Sequence, residues 1–252
     1  SPVQVVLRQA TIQVETCALD PAAGDYADQL RKHFDPRSYR MNLAHAPLLR
    51  FVIAHHPDGA CYALQLLHHI VGDHATLEMI FKEAVIILKG EAATLPAPQP
   101  YRNLIAQVRL GDRQKDHDGF FRQMLGDIDS PTLPFGIQDV HLDGSKASEA
   151  HRPLSPLLNQ RLRNQAKRLG VTLASLCHLA WAQVLAKASG QSSVVFGTVL
   201  IGRLQAGKNA QATLGLFINT LPIRLNIDAT SVRDSLLNTH RSLSALLDHE
   251  HA

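Results

Sequence analysis

The stretch Cys61 to Leu77, CYALQLLHHIVGDHATL, runs a strand-like apolar alternation straight into a dense group of histidine and aspartate and then into a helical pattern. That order of a strand, a polar turn and a helix constrains everything around it. Tyr62, Leu64 and Leu66 share one face of the alternation, and Cys61, Ala63, Gln65 and Leu67 share the other, as a half-buried strand requires. If the strand runs on through the pair, His68 joins Leu64 and Leu66 toward the packed side, and His69 shares the face of Gln65 and can look into a cleft. The two neighbours then have different jobs.

Upstream, Leu49 to Ala54 reads as a strand, Pro57-Asp58-Gly59 as a turn, and Cys61 to His69 as its antiparallel partner. Downstream, Leu77, Ile80, Phe81, Ala84, Ile87 and Leu88 recur at helical intervals from Ala75 to Leu88, predicting a helix packed back on that sheet and closed by Gly90. Val3 to Ala18 is rich in β-branched residues and predicts an opening strand with no turn or cap before it, which suggests missing upstream sequence. A helix over Asp25 to Phe34 is capped by Asp25 and stopped at Asp35-Pro36.

Three prolines between Thr94 and Pro100 mark an extended connection to two helical segments, Tyr101 to Leu110 and Gly119 to Leu125. Residues 126–150, with Pro131, Pro134, Gly136 and Gly144, are the candidate crossing between lobes, so the division is placed as 1–135 and 136–252. The second half begins with helices over Pro156 to Leu169 and Leu173 to Ala188, the latter capped by Thr172 and carrying Trp181 as a core residue. Strands over Ser193 to Ile201 and Leu214 to Ile227 follow, then a helix from Val232 to Leu247. This order predicts an α/β (α+β) fold in two lobes rather than one doubly wound sheet.

Composition narrows the function classes. With 45% apolar and 19% charged residues in 252, the chain has the make-up of a globular protein with a sizeable core. A net charge of +3, spread over several helices, and 5% aromatics give neither a basic stripe nor a stacking surface for nucleic acid. No run of eighteen apolar residues and no secretion signal occur, so no membrane role is expected and the cytoplasm is the default location. Cys17, Cys61 and Cys177 are far apart and odd in number, which predicts reduced core thiols.

Four stretches together carry a family resemblance. HHIVGDH, His68 to His74, is similar to the H-H-x-x-x-D-G signature of the condensation domains of nonribosomal peptide synthetases, relatives of chloramphenicol acetyltransferase. MNLAHAPLLRF from Met41, WAQVLAKASGQSSVVFGTVLIGR from Trp181 and LGLFINTLPIR from Leu214 resemble further segments of that family, in the family's order. Any one of them is weak alone, since short histidine and aspartate patterns arise by chance. The resemblance implies two chloramphenicol acetyltransferase-like lobes forming a cleft, here incomplete, with sequence missing before Ser1 and after Ala252.

It also implies a reaction. The amine of an acceptor aminoacyl thioester attacks the thioester of a donor, both carried on the phosphopantetheine arms of carrier-protein domains upstream and downstream, beside an adenylation domain. No cofactor or metal of the domain's own is implied, because a thioester is already activated and an α-amine with a pKa of about 7.7–8.0 is partly neutral near pH 7. Within that reading His69 bonds the attacking amine and takes its proton, while His68 and Asp73 support it. Asp73 ties the loop through an arginine, Arg50 or Arg40. Gly72 and His74 border the substrate, and Asn219 and Thr220 could line the cleft.

His74 stands where the family has glycine. If that position supplies only a backbone N–H, histidine serves; if it needs positive φ or close approach, histidine impairs. Arg203 could meet a phosphate or a carrier surface, or be an ordinary solvated arginine. Rival readings remain: an H-x-x-x-x-D acyltransferase acting on a hydroxyl, a metal hydrolase built from His68, His69, Asp73 and His74, and a non-catalytic scaffold that holds carrier proteins.

Overall fold

The computed structural model describes residues 5–112, 115–138, 148–203 and 213–252, with the side chains of 111 and 112 left aside. These fall into two compact units. The first holds the described residues up to Leu95 together with Leu214–Leu216, and the second holds the rest from Pro96. The division lies at Leu95/Pro96 instead of 135/136 because two helices before residue 135 belong with the second core, as described below.

The first unit is a three-stranded sheet with one helix on its face. Strand β1 (Gln13–Thr16) pairs parallel with β2 (Leu49–His55), which pairs antiparallel with β3 (Cys61–Leu67). Helix α1 (Tyr26–His33) starts where the Asp25 carboxylate accepts the Asp28 N–H at 3.0 Å. Tyr26, Leu30 and Phe34 form an i, i+4, i+8 stripe against Val52 and Ala54 of β2 and the Tyr62, Leu64, Leu66 face of β3. Each such fully buried side chain contributes about 1.5–3 kcal/mol. The Tyr62, Leu64, Leu66 face of the predicted alternation is thus the packed one, covered by α1.

Two expectations in this unit are corrected. The strand predicted over Val3 to Ala18 is only Gln13–Thr16, with all four side chains exposed; Val3 and Gln4 lie outside the described residues. β-Branched propensity alone does not extend a strand beyond its ladder partner, here Arg50 to Ile53. Helix α2 (His74–Leu88) forms and is followed by Gly90 with φ 79°, yet Thr76 is its one buried residue. Its periodic apolar residues Phe81, Ile87 and Leu88 are exposed instead of packed on the sheet.

In the second unit, β4 (Ser193–Leu200) pairs antiparallel with β5 (Asn219–Asn226). Their inner face, Val194 and Leu200 with Leu221, Ile223 and Leu225, packs on Ala182, Leu185 and Ala186 of α6 (Leu173–Ser189) and on Leu243 and Leu246 of α7 (Val232–Leu247). Helix α5 (Pro156–Leu169) joins through Ala166, which clusters with Val171, Leu179 and Leu236. Caps set these helices: Ser155, Thr172 and Ser231 each accept the N–H three residues on.

Helices α3 (Tyr101–Asp112) and α4 (His117–Leu125) explain the shifted boundary. Phe120, Phe121 and Met124 of α4 pack on the β4–β5 core, and Leu104 of α3 clusters with Phe217. Asp127, just after α4, is held by Arg224 of β5 through two bonds of 2.5 and 3.0 Å. That pairing keeps the Asp127 carboxyl below its ordinary value of 3.8. Of the crossing expected over 126–150, residues 139–147 lie outside the described residues.

Three further expectations change here. The last strand begins at Asn219 rather than Leu214. Trp181 is 50% exposed, because α6 turns Ala182, Leu185 and Ala186 inward and leaves the tryptophan beside Cys177, His178 and Val199 on an open groove of about 310 Å³. All three cysteines are free, but Cys61 and Cys177 are exposed and only Cys17 is half-buried, so they are not core thiols. No single helix among the described residues is long and apolar enough to cross a membrane.

Candidate active site

Strand β3 ends at Leu67, so the histidine pair is not in the strand. His68 still closes the ladder: its N–H donates to Leu48 O at 3.0 Å. The chain then folds into a turn over His68 to Val71, closed by Val71 N–H to His68 O at 3.1 Å. The His68 ring braces this turn from inside, its Nδ1 accepting the Ile70 N–H at 3.1 Å. His69 occupies the first central position of the turn and is exposed, while His68 is half-buried. The strand expected to continue to His69 stops short of the pair, and a turn sets the two rings apart.

Beyond the turn the chain goes inside. Gly72 is buried, and a Cβ there would sit 2.9 Å from Thr76 Cγ2 and 3.0 Å from Leu67 Cδ2, closer than ordinary contact. Asp73, 3% exposed, is the N-cap of α2, its Oδ1 accepting the Thr76 N–H at 2.9 Å and lying 3.1 Å from Thr76 Oγ1. A carboxylate at this helix N-terminus also meets the favourable end of the helix dipole.

Of the two arginines expected to tie Asp73, Arg50 is engaged within its own sheet. Arg50 is held by Glu15, at 3.4 Å, and by the Tyr39 hydroxyl, at 3.3 Å. It pairs in register with Gln13 of β1, so Glu15, two residues on, shares its face, and Arg50 is not the partner of Asp73. Arg40 donates to the Pro36 carbonyl at 2.5 Å. Asp73 acts as a helix cap.

His74 is the first residue of α2, its side chain 84% exposed with Nε2 3.3 Å from Glu78 Oε1. Phe135 is the one non-glycine residue with positive φ among those described, so the backbone at His74 is one that any L-residue adopts. The backbone conformation at this position does not demand glycine.

Asn219 and Thr220 belong to the second unit. The Asn219 amide donates to the carbonyls of Glu250 and Ala252 at 3.0 and 3.1 Å, and its Oδ1 accepts the Thr220 N–H at 2.9 Å. Its polar capacity thus serves the C-terminal backbone, while Thr220 is exposed. Arg203 is 8% exposed, bonded to Thr213 O at 2.9 Å with its guanidinium 3.8 Å over the Phe217 ring, so it is not a solvated arginine. It follows Gly202, where φ is 68° and a Cβ would meet Phe217 O at 2.1 Å.

One residue of the site escaped the sequence reading. Thr76, 3% exposed, donates from Oγ1 to Gly215 O at 2.8 Å and accepts the Gly215 N–H at 3.2 Å, inside the first unit. The D-x-x-T spacing from Asp73, a helix-start signal, could have drawn attention to it; the contact 139 residues away could not.

The arrangement offers one exposed imidazole on a turn whose two flanks are fixed, by the ladder at His68 and by the buried cap at Asp73. Among the described residues no group of three or more histidine, cysteine or acidic side chains is placed to hold a metal ion. The His68 Nδ1 and the Asp73 Oδ1 already serve backbone N–H groups. The exposed His69 ring can offer hydrogen bonding and proton transfer.

Comparison with known proteins gives one consistent result. The Condensation domain family model matches residues 1–251. Malpinin synthetase of Mortierella alpina is 56% identical over 252 residues, covering 100% of this chain and 3% of that protein. Malpibaldin synthetase of the same organism is 55% identical over 251 residues, 100% of this chain and 4% of the relative. Among solved structures, the first condensation domain of the CDA synthetase superposes with a TM-score of 0.71 at 19% identity, over 94% of this chain and 54% of that one. The chain thus spans a few per cent of the curated relatives' length and about half of the solved domain.

Proposed function

The chain belongs to the condensation-domain family of the nonribosomal peptide synthetases, and from that premise we propose that it serves amide-bond formation between two carrier-bound thioesters. The acceptor's α-amine attacks the donor's acyl carbon, a tetrahedral intermediate forms, and its collapse expels the donor's pantetheine thiol as the amine gives up a proton. Donor and acceptor arrive on phosphopantetheine arms of carrier-protein domains, with an adenylation domain in the same assembly, in the cytoplasm. In this reading the first compact unit carries the reacting histidine.

Our reading rests above all on the exposure of His69 in a turn bonded on both flanks, at half-buried His68 and at buried Asp73. Holding two reactants in line supplies several kcal/mol of the barrier, and a positioned base adds about a hundred- to ten-thousand-fold. His69 can accept a hydrogen bond from the attacking amine and take its proton. His68 and Asp73 hold the turn without touching substrate. Gly72 keeps the loop close-packed, and the exposed His74 leaves its backbone at a helix N-terminus, where N–H groups favour developing negative charge.

The experiment pairs a donor-loaded carrier with acceptors that differ only in an amine or a hydroxyl and reads product by mass spectrometry. Amide product from the amine alone supports the proposal. Ester product would point to the hydroxyl-directed acyltransferase reading, and carrier binding without any product to a scaffold.

A further inference from the structure

Thr76 lies outside the His68–Asp73 signature, yet it closes that loop against a segment far away in sequence. Its hydroxyl is an acceptor for Gly215 N–H at 3.2 Å and faces two acceptors itself, Gly215 O at 2.8 Å and Asp73 Oδ1 at 3.1 Å. A hydroxyl has one proton to give. The shorter contact directs it to Gly215 O, so one side chain engages both backbone groups of Gly215 as a paired strand would. The backbone N–H of Thr76 meanwhile bonds the Asp73 carboxylate at 2.9 Å.

Sterics keep this hydroxyl in place. A threonine has few χ1 choices in a helix, and Thr76 Cγ2 lies under Gly72, where even a methyl group would collide at 2.9 Å. All the groups are buried, so a bond lost here is not replaced by water.

We infer that Thr76 is a positioning residue: it fixes the Asp73 cap on one side and the Leu214–Leu216 backbone on the other, so the turn bearing His69 cannot shift independently of that segment. Its catalytic consequence rests on the condensation reading; the tie itself does not.

Thr76→Val removes the hydroxyl at nearly constant volume, and Thr76→Ser keeps it. In this chain, amide hydrogen exchange at Gly215 should quicken about tenfold or more in Thr76→Val and stay near wild type in Thr76→Ser, with Ile223 in β5 unchanged as a control for global stability. If Thr76→Val does not fold, Thr76→Ala removes the same hydroxyl without the branch and carries the same expectation. In the product assay, Thr76→Val should lower kcat about tenfold or more with KM for each carrier within about twofold, and Thr76→Ser should recover most of it. Unchanged Gly215 exchange overturns the tie. Wild-type kcat with fast exchange overturns the positioning role. A wild type that makes no product, with Gly215 responding as expected, counts against the condensation reading and leaves the tie standing.

Discussion

At the scale of single residues, Asp73 is best understood as a buried cap. Asparagine caps about as well as aspartate, so Asp73→Asn should hold the fold, whereas Asp73→Ala should lose about 1 kcal/mol in a urea titration. Gly72→Ala should cost about 1–3 kcal/mol in the same titration, since the added methyl meets Thr76 and Leu67 within 3.0 Å. His74→Gly should bring no gain in product formation, because the histidine side chain points outward to Glu78. The different settings of His68 and His69 come from a turn that the two-residue period of the strand did not foretell, since β3 ends at Leu67. Thr76 was not legible, because its partner Gly215 is adjacent only after folding.

At the scale of elements, legibility followed the number of local signals. Helices α1, α5, α6 and α7 combine a side-chain cap with an apolar stripe, and all four formed close to the expected bounds. β1 and the start of β5 depend on ladder partners, which no local pattern specifies. Trp181 shows the limit of reading burial from residue type. As the chain's single tryptophan, half-exposed on α6, it should emit at long wavelength and be readily quenched by acrylamide; a blue-shifted, protected emission would place it in a core. The Asp127–Arg224 pair makes a pH-dependent prediction. Its carboxyl is held below 3.8 in the folded chain by the arginine's hydrogen bonds, so folding favours the charged form. The added stability is complete above the unfolded value and fades as pH falls through the lowered one. Thermal melts of wild type and Asp127→Asn should therefore differ near pH 6 and converge toward about pH 2.

At the scale of the whole molecule, the α/β class and the condensation-type fold were legible, and the inner boundary was not. Proline and glycine density pointed to 126–150, but Phe120, Phe121 and Met124 commit α4 to the second core, and the division falls at Leu95/Pro96. Composition marks loops without telling which side of a loop a helix will pack on. We propose that His69, exposed on a doubly anchored turn, is the reacting group, with its neighbours as anchors. The most direct measurement compares wild type with His69→Ala in amide formation from two loaded carriers, with carrier binding followed in parallel. His69→Ala is expected to lose about a hundredfold or more of product at unchanged carrier binding. Near-wild-type turnover by His69→Ala would contradict it.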